Sequence, residues 1–126
     1  MLKDYRNYDA IGLAQLIKNK DLSPTELLQT AIAHAEQENP SINAIITKLY
    51  DYGQQQIDQG LPEGPFSGVP FLLKDLLGSL EGTQMTNGSA AYKGHISPSD
   101  SEMVARYKAS GLVTFGKTNT HEFGLM

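Results

Sequence analysis

The chain has 126 residues, a formal charge of −4 and 40% apolar residues, which fits one domain or part of one and favours no nucleic-acid partner. It contains no cysteine, so disulfides and thiolate metal sites are excluded. No apolar run approaches the ~20 residues of a membrane span, and the opening Met1-Leu2-Lys3-Asp4-Tyr5-Arg6 lacks the apolar segment of a signal peptide, so no membrane partner and a cytoplasmic location are expected.

The first element is a helix capped by Asp9. Its apolar face is Ala10, Leu13, Ala14 and Ile17, spaced as one side of a helix requires. A second helix begins at Ser23, where Glu26 completes a capping box and Pro24 takes the first helical position. Leu27, Leu28, Ala31, Ile32 and Ala35 form its buried face, and Asn39-Pro40 is expected to stop it. Residues 8–39 therefore read as a helical hairpin. Ile42 to Ile46 reads as a short strand, and Lys48 to Gln59 as a polar, weakly helical segment before a Gly/Pro connector at residues 60–65.

Val69-Pro70-Phe71-Leu72-Leu73 is apolar on both faces, the pattern of an interior strand, and runs into Lys74-Asp75. Residues 78–99 carry four glycines, four serines and two threonines with little apolar periodicity, which reads as a long loop. Ser99 with Glu102 suggests another capping box, and Met103, Val104 and Tyr107 give a helical stripe that stops at Gly111. Leu112 to Phe115 reads as a further strand. Strand, loop, helix, strand points to part of an α/β sheet.

Lys74 is the residue with chemical promise. Side chains alternate along a strand, so Lys74 shares a face with Leu72 while Asp75 points the other way. The carboxyl end of a sheet strand is where clefts form in open α/β folds. A lysine acts as a base only when neutral. Bringing such an amine from about 10.4 to about 7 requires roughly 4.6 kcal/mol of selective destabilisation of its charged form, which burial among apolar groups can supply. A neutral amine can then accept a hydroxyl proton in Ser-Lys catalysis. On spacing alone, a surface lysine closing a strand, a salt-bridged lysine and a Schiff-base lysine also fit.

Three other patterns carry less. Gly111 to Thr118 spells G-x-x-x-x-G-K-T, the letters of a phosphate-binding loop. Its middle residues, Leu-Val-Thr-Phe, are strand formers, and a helix stands where the loop's strand belongs. His121-Glu122 opens like a zinc-protease helix, but position 125 is Leu. Three scattered histidines without cysteine give a metal site little support, and no metal or other cofactor is expected. His34 is expected at a helix edge and His95 in solvent.

The blocks Gly68-Val69-Pro70-Phe71-Leu72-Leu73-Lys74-Asp75, Thr86-Asn87-Gly88-Ser89 and Gly116-Lys117-Thr118-Asn119, followed by Glu122-Phe123-Gly124, resemble the amidase signature family in wording, order and spacing. Leu22-Ser23-Pro24-Thr25-Glu26-Leu27 and Asn39-Pro40-Ser41-Ile42-Asn43-Ala44 resemble its opening. The resemblance implies an α/β fold, a mixed central sheet flanked by helices. It implies that Lys74 is the base of a Ser–cis-Ser–Lys triad and that a small-molecule linear amide is hydrolysed through an acyl-enzyme. Thr86, Gly88 and Ser89 enter as pocket-shaping residues, with Ser89 expected to be a turn hydroxyl rather than the nucleophile. Homo-oligomerisation is expected by analogy alone.

In the family, the two triad serines lie downstream of the block that ends here at Gly124. Residues 1–126 are thus expected to form the N-terminal fragment of a single amidase domain, with the hairpin at about 8–39 and the start of the α/β core at about 42–126. The isolated chain is expected to be inactive. The alternative is a non-catalytic module acting in assembly or binding.

Overall fold

The computed structural model describes residues 2–125, a mixed α/β arrangement built around a three-stranded sheet. Helix α1 spans Ala10–Lys18 and α2 spans Pro24–Ile42. Strand β1 (Ile45–Lys48) and helix α3 (Tyr50–Asp58) come next, then β2 (Pro70–Lys74), α4 (Glu102–Ala109) and β3 (Val113–Thr118). The strand order is β1-β3-β2, with β3 antiparallel to β1 and parallel to β2.

The helix starts obey their caps. The Asp9 carboxylate accepts from the Gly12 amide at 2.8 Å. At α2, the Ser23 hydroxyl accepts from the Glu26 amide at 3.2 Å while the Glu26 carboxylate accepts from the Ser23 amide at 3.0 Å, so two otherwise orphaned donors are satisfied.

Two helix ends differ from the sequence reading. Helix α2 does not stop at Asn39-Pro40 but runs through Pro40 to Ile42, so the expected strand begins only at Ile45. Pro40 has no amide to donate to the Glu36 carbonyl, so the helix continues through it with one backbone bond missing. The Asn39 side chain ties down the start of β1, accepting from the Ile45 amide at 2.7 Å and donating to the Ile45 carbonyl at 2.9 Å. Asn43, left-handed at φ 48°, turns the chain between helix and strand. At α4 the cap is Ser101, not Ser99, and its hydroxyl accepts from the Val104 amide. Asp100 is engaged elsewhere, accepting from the Glu81 amide at 2.8 Å and pairing with Lys108, which moves the helix start past it.

The core lies between the helices and the sheet. Leu28 and Ala31 of α2 pack with Val113 and Phe115 of β3, and Leu13 and Leu27 pack with Val69. Leu80 and Val104 close over Leu73. The interior strand among the described residues is β3, not β2 as its apolar run suggested; five consecutive residues of β3 are buried, whereas Phe71 and Leu72 of β2 are only half-buried. The long 78–99 segment is ordered by its own bonds: Gly82 donates to Ser97, Ser97 to Thr83 and Met85 to His95, at 2.9–3.0 Å.

Gly111 ends α4 at φ +88°, and a methyl group there would lie 2.4 Å from the Ser67 Cα. Gly111→Ala should therefore destabilise by about 2–5 kcal/mol, combining left-handed strain with overpacking. Gly82→Ala, at φ +74° with nothing within 4 Å, should show only the strain, about 1–2 kcal/mol. Denaturant unfolding of both variants checks the contrast; equal losses would mean that the Ser67 contact is unimportant.

Candidate functional site

Lys74 closes β2 at the level of Thr118 on β3, and the Asp75 amide donates to the Thr118 carbonyl at 3.1 Å. The alternation expected from a strand is present. Lys74 is exposed and lines an open depression with Asn119, Thr120 and His121, whereas Asp75 turns inward and is 1% exposed. Among the described residues, no carboxylate lies within 4 Å of the Lys74 amine. A larger cavity, about 570 Å³, lies elsewhere, between α1 and residues 63–67. It holds none of the chemically promising residues.

Asp75 finds its partners beneath the sheet. Its carboxylate accepts from the Thr86 amide at 3.1–3.2 Å and from the Thr86 hydroxyl. Lys117, fully buried on β3, brings its Nζ to 3.8 Å from Asp75 Oδ1 and donates to the Gln84 carbonyl at 2.6 Å. Burial pushes the Lys117 amine below the usual lysine range, and the Asp75 charge opposes that shift. The pair thus joins the end of β2, the core of β3 and the loop around Thr86.

Sequence reasoning misses this pairing. It meets Lys117 as the lysine of a phosphate-binding pattern and as part of the Gly116-Lys117-Thr118-Asn119 block, without a partner in either. The backbone resolves that pattern: Gly111 is the left-handed turn after α4, and Val113–Thr118 is extended strand. An extended backbone cannot wrap a phosphate. One signal points to the pair. Asp75 and Lys117 come at matching depth after two apolar strands, and parallel pairing puts Leu73 opposite Lys117.

The residues that line the depression do not include Thr86, Gly88 or Ser89. Thr86 serves Asp75. Gly88, at φ +71°, packs so tightly on the 120–121 segment that a methyl group would lie 2.7 Å from the Thr120 carbonyl and 2.8 Å from that of His121. Ser89 is buried; its hydroxyl donates to Glu122 Oε1 at 2.6 Å and accepts from the Ala91 amide at 3.3 Å. Asn87 adds two ties, its side chain accepting from the Leu77 amide at 3.1 Å and its carbonyl from the Phe123 amide at 2.8 Å. The loop is the backing of the wall that Thr120 and His121 present to Lys74.

The histidines do not gather. His34 stacks on Tyr5 at 5.2 Å, His95 is exposed, and the described residues hold no group of three or more His, Cys, Asp or Glu side chains suited to a metal ion. Nor is any helix among them long and apolar enough to cross a membrane.

The family model described as Amidase matches residues 26–126. The chain is 41% identical over 118 residues to a 6-aminohexanoate-cyclic-dimer hydrolase of Paenarthrobacter ureafaciens, covering 92% of this chain and 24% of that protein. It superposes on a structure of 6-aminohexanoate cyclic dimer hydrolase complexed with substrate with a TM-score of 0.88 and 38% identity, covering 95% of this chain and 25% of that one. A bacterial aryl acylamidase of the amidase signature enzymes gives a TM-score of 0.82 at 29% identity, over 92% of this chain and 26% of that chain. The chain therefore spans about a quarter of the length of these relatives.

The buried pair yields a double-mutant test. Lys117→Met or Asp75→Asn alone should lower stability by about 3–5 kcal/mol, because each leaves a buried partner uncompensated. The double variant should return to within about 2 kcal/mol of wild type, the remainder reflecting the Gln84 carbonyl left without its donor. The pH sense comes from the lowered Lys117 value. Below that value, both states hold the proton and the desolvation penalty is complete. Between it and about 10.5 the folded state releases the proton first, so this contribution becomes more favourable as pH rises. Unfolding curves at several pH values should show wild type gaining on the double variant as pH increases.

Proposed function

Because the chain belongs to the amidase family, we propose that it supplies Lys74 as the general base of an enzyme that hydrolyses a carboxylic amide through a serine acyl-enzyme. The observation that carries this reading is the division of labour at the end of β2: Lys74 opens to a depression while its acidic neighbour is buried with another cation. An amine so placed is available to a hydroxyl proton and is not claimed by an adjacent carboxylate.

In this reading the neutral Lys74 amine takes a proton from a bridging serine. That serine in turn takes one from the nucleophilic serine, whose oxygen adds to the amide carbonyl. Backbone amides hold the oxyanion. Collapse expels the amine with a returned proton and leaves an ester, which water hydrolyses in the second half of the cycle. Both serines are supplied by sequence outside residues 1–126, which form the N-terminal part of the single amidase domain. Ser89 is already engaged with Glu122, which supports keeping it out of the nucleophile role. Thr86, Gly88 and Ser89 shape the site by supporting the Thr120–His121 wall.

The substrate class is a small linear amide. The related hydrolase is named for a cyclic dimer, so a cyclic diamide belongs in the same panel. The 126-residue chain alone should show no turnover. A longer chain that joins residues 1–126 to the two serines of the proposed triad should hydrolyse members of the panel, with liberated amine as the readout. Lys74→Ala in that protein should lower kcat by about 10²–10⁴-fold, the usual contribution of a general base. Turnover by the short chain, or full activity in the alanine variant, would remove Lys74 from this role.

A further inference from the structure

We propose that Lys117 is a positioning residue for Lys74: by pairing with Asp75 below the sheet, it keeps the carboxylate next in sequence from holding the Lys74 amine as an ammonium ion. This deepens the reading of Lys74 as a base and rests on it.

A lysine base followed directly by an aspartate is a poor arrangement unless the aspartate is neutralised. A negative charge one residue away favours the protonated amine, the form that cannot accept a proton. Here the strand sends the two side chains to opposite sides, and the inward side supplies compensation. Asp75 is 1% exposed and Lys117 0% exposed, with 3.8 Å between Oδ1 and Nζ. Thr86 contributes an amide and a hydroxyl to the same carboxylate. The Lys117 amine also donates to the Gln84 carbonyl, a neutral group. Seen from Lys74, the inward side is therefore an ion pair with no net charge. On the open side, the titratable group lining the depression is His121.

The arrangement is mechanical as well as electrostatic. Lys117 fixes Gln84, Asp75 fixes Thr86, and the same loop continues to Gly88 against the Thr120 and His121 carbonyls and to Ser89 on Glu122. One buried cation thus supports both the backbone under Lys74 and the wall facing it.

The test reads the Lys74 amine directly and needs no turnover, so it can fail while the hydrolysis reading stands, or the reverse. The 126-residue chain is acylated at pH 8 with a small amine-reactive ester under pseudo-first-order conditions. Peptide mass spectrometry gives the Lys74 rate relative to exposed Lys93 in the same molecule, and circular dichroism confirms folding of each variant. Lys117→Met should slow Lys74 roughly twofold, the order of size expected of one uncompensated charge acting through a largely aqueous path. Lys117→Gln, which keeps a donor for Gln84 without the charge, should slow it similarly and serves where the methionine variant does not fold. Adding Asp75→Asn to either should restore the wild-type ratio. Such restoration is not expected if Lys117 merely fills space. An unchanged Lys74 rate in the folded single variant, or slowing that persists in the double variant, overturns the proposal.

Discussion

A cation and an anion taken out of water together are the constraint on which this structure depends. Desolvating two ions carries a penalty of several kcal/mol for each, and attraction at 3.8 Å offsets it only where further hydrogen bonds complete the shell. Here Thr86 gives Asp75 an amide and a hydroxyl, and the Gln84 carbonyl gives Lys117 one hydrogen bond. The consequence is specificity of arrangement. An apolar pair could fill the same volume in several registers of loop against sheet, whereas an ion pair with directed bonds accepts few. The loop at residues 84–89, besides the bonds within its own segment, is tied to the sheet by this pair, and the 120–122 segment packs on and bonds to the loop.

The same constraint explains why the central strand looks unlike one in the sequence. Strand β3 carries Gly116 and Lys117 where an interior strand is expected to continue with branched apolar residues. Gly116 is there because Leu72 and Ile45 converge on it from the two neighbouring strands: a methyl group would lie 2.9 Å from one and 3.1 Å from the other. Lys117 is there because an ion, not a hydrocarbon, is needed opposite Asp75. Local patterning marks Val69 to Leu73 as an interior strand, while among the described residues it is Val113–Thr118 that is paired on both sides.

How much of the fold is legible in the sequence depends on the range of the interactions. The Asp9 and Ser23 caps, the apolar helix faces and the Gly111 stop depend on residues within one helical turn, and each is readable. The opposite facing of Lys74 and Asp75 needs only the two-residue period of a strand. The differences at Asn39-Pro40 and Ser99 arise where a side chain outside the local pattern intervenes. Asn39 reaches Ile45, and Asp100 is committed to Glu81 and Lys108. The Lys117–Asp75 pair spans 42 residues of sequence and two strands, and no local rule reaches that far. The order of blocks, by contrast, carries the family, because spacing between motifs encodes topology that single motifs do not.

The position of Lys74 at a strand end connects fold to chemistry. In a parallel pair, the carboxyl ends of both strands leave the sheet at the same level, so β2 and β3 deliver Lys74-Asp75 and Thr118-Asn119 side by side. The continuation of β3 then wraps into Thr120 and His121 and forms one wall of the depression that β2 ends in. Two strands thus give a floor and a wall, and the side chain between them stays open to water. In the role proposed for Lys74 that water has to be removed, because desolvation disfavours the charged amine without adding a competing cation. Adding a cation on the open side would have a similar electrostatic effect but would occupy the space a substrate requires. The fold instead places its second lysine on the far side of the sheet, where it cancels Asp75 and leaves the approach to Lys74 clear.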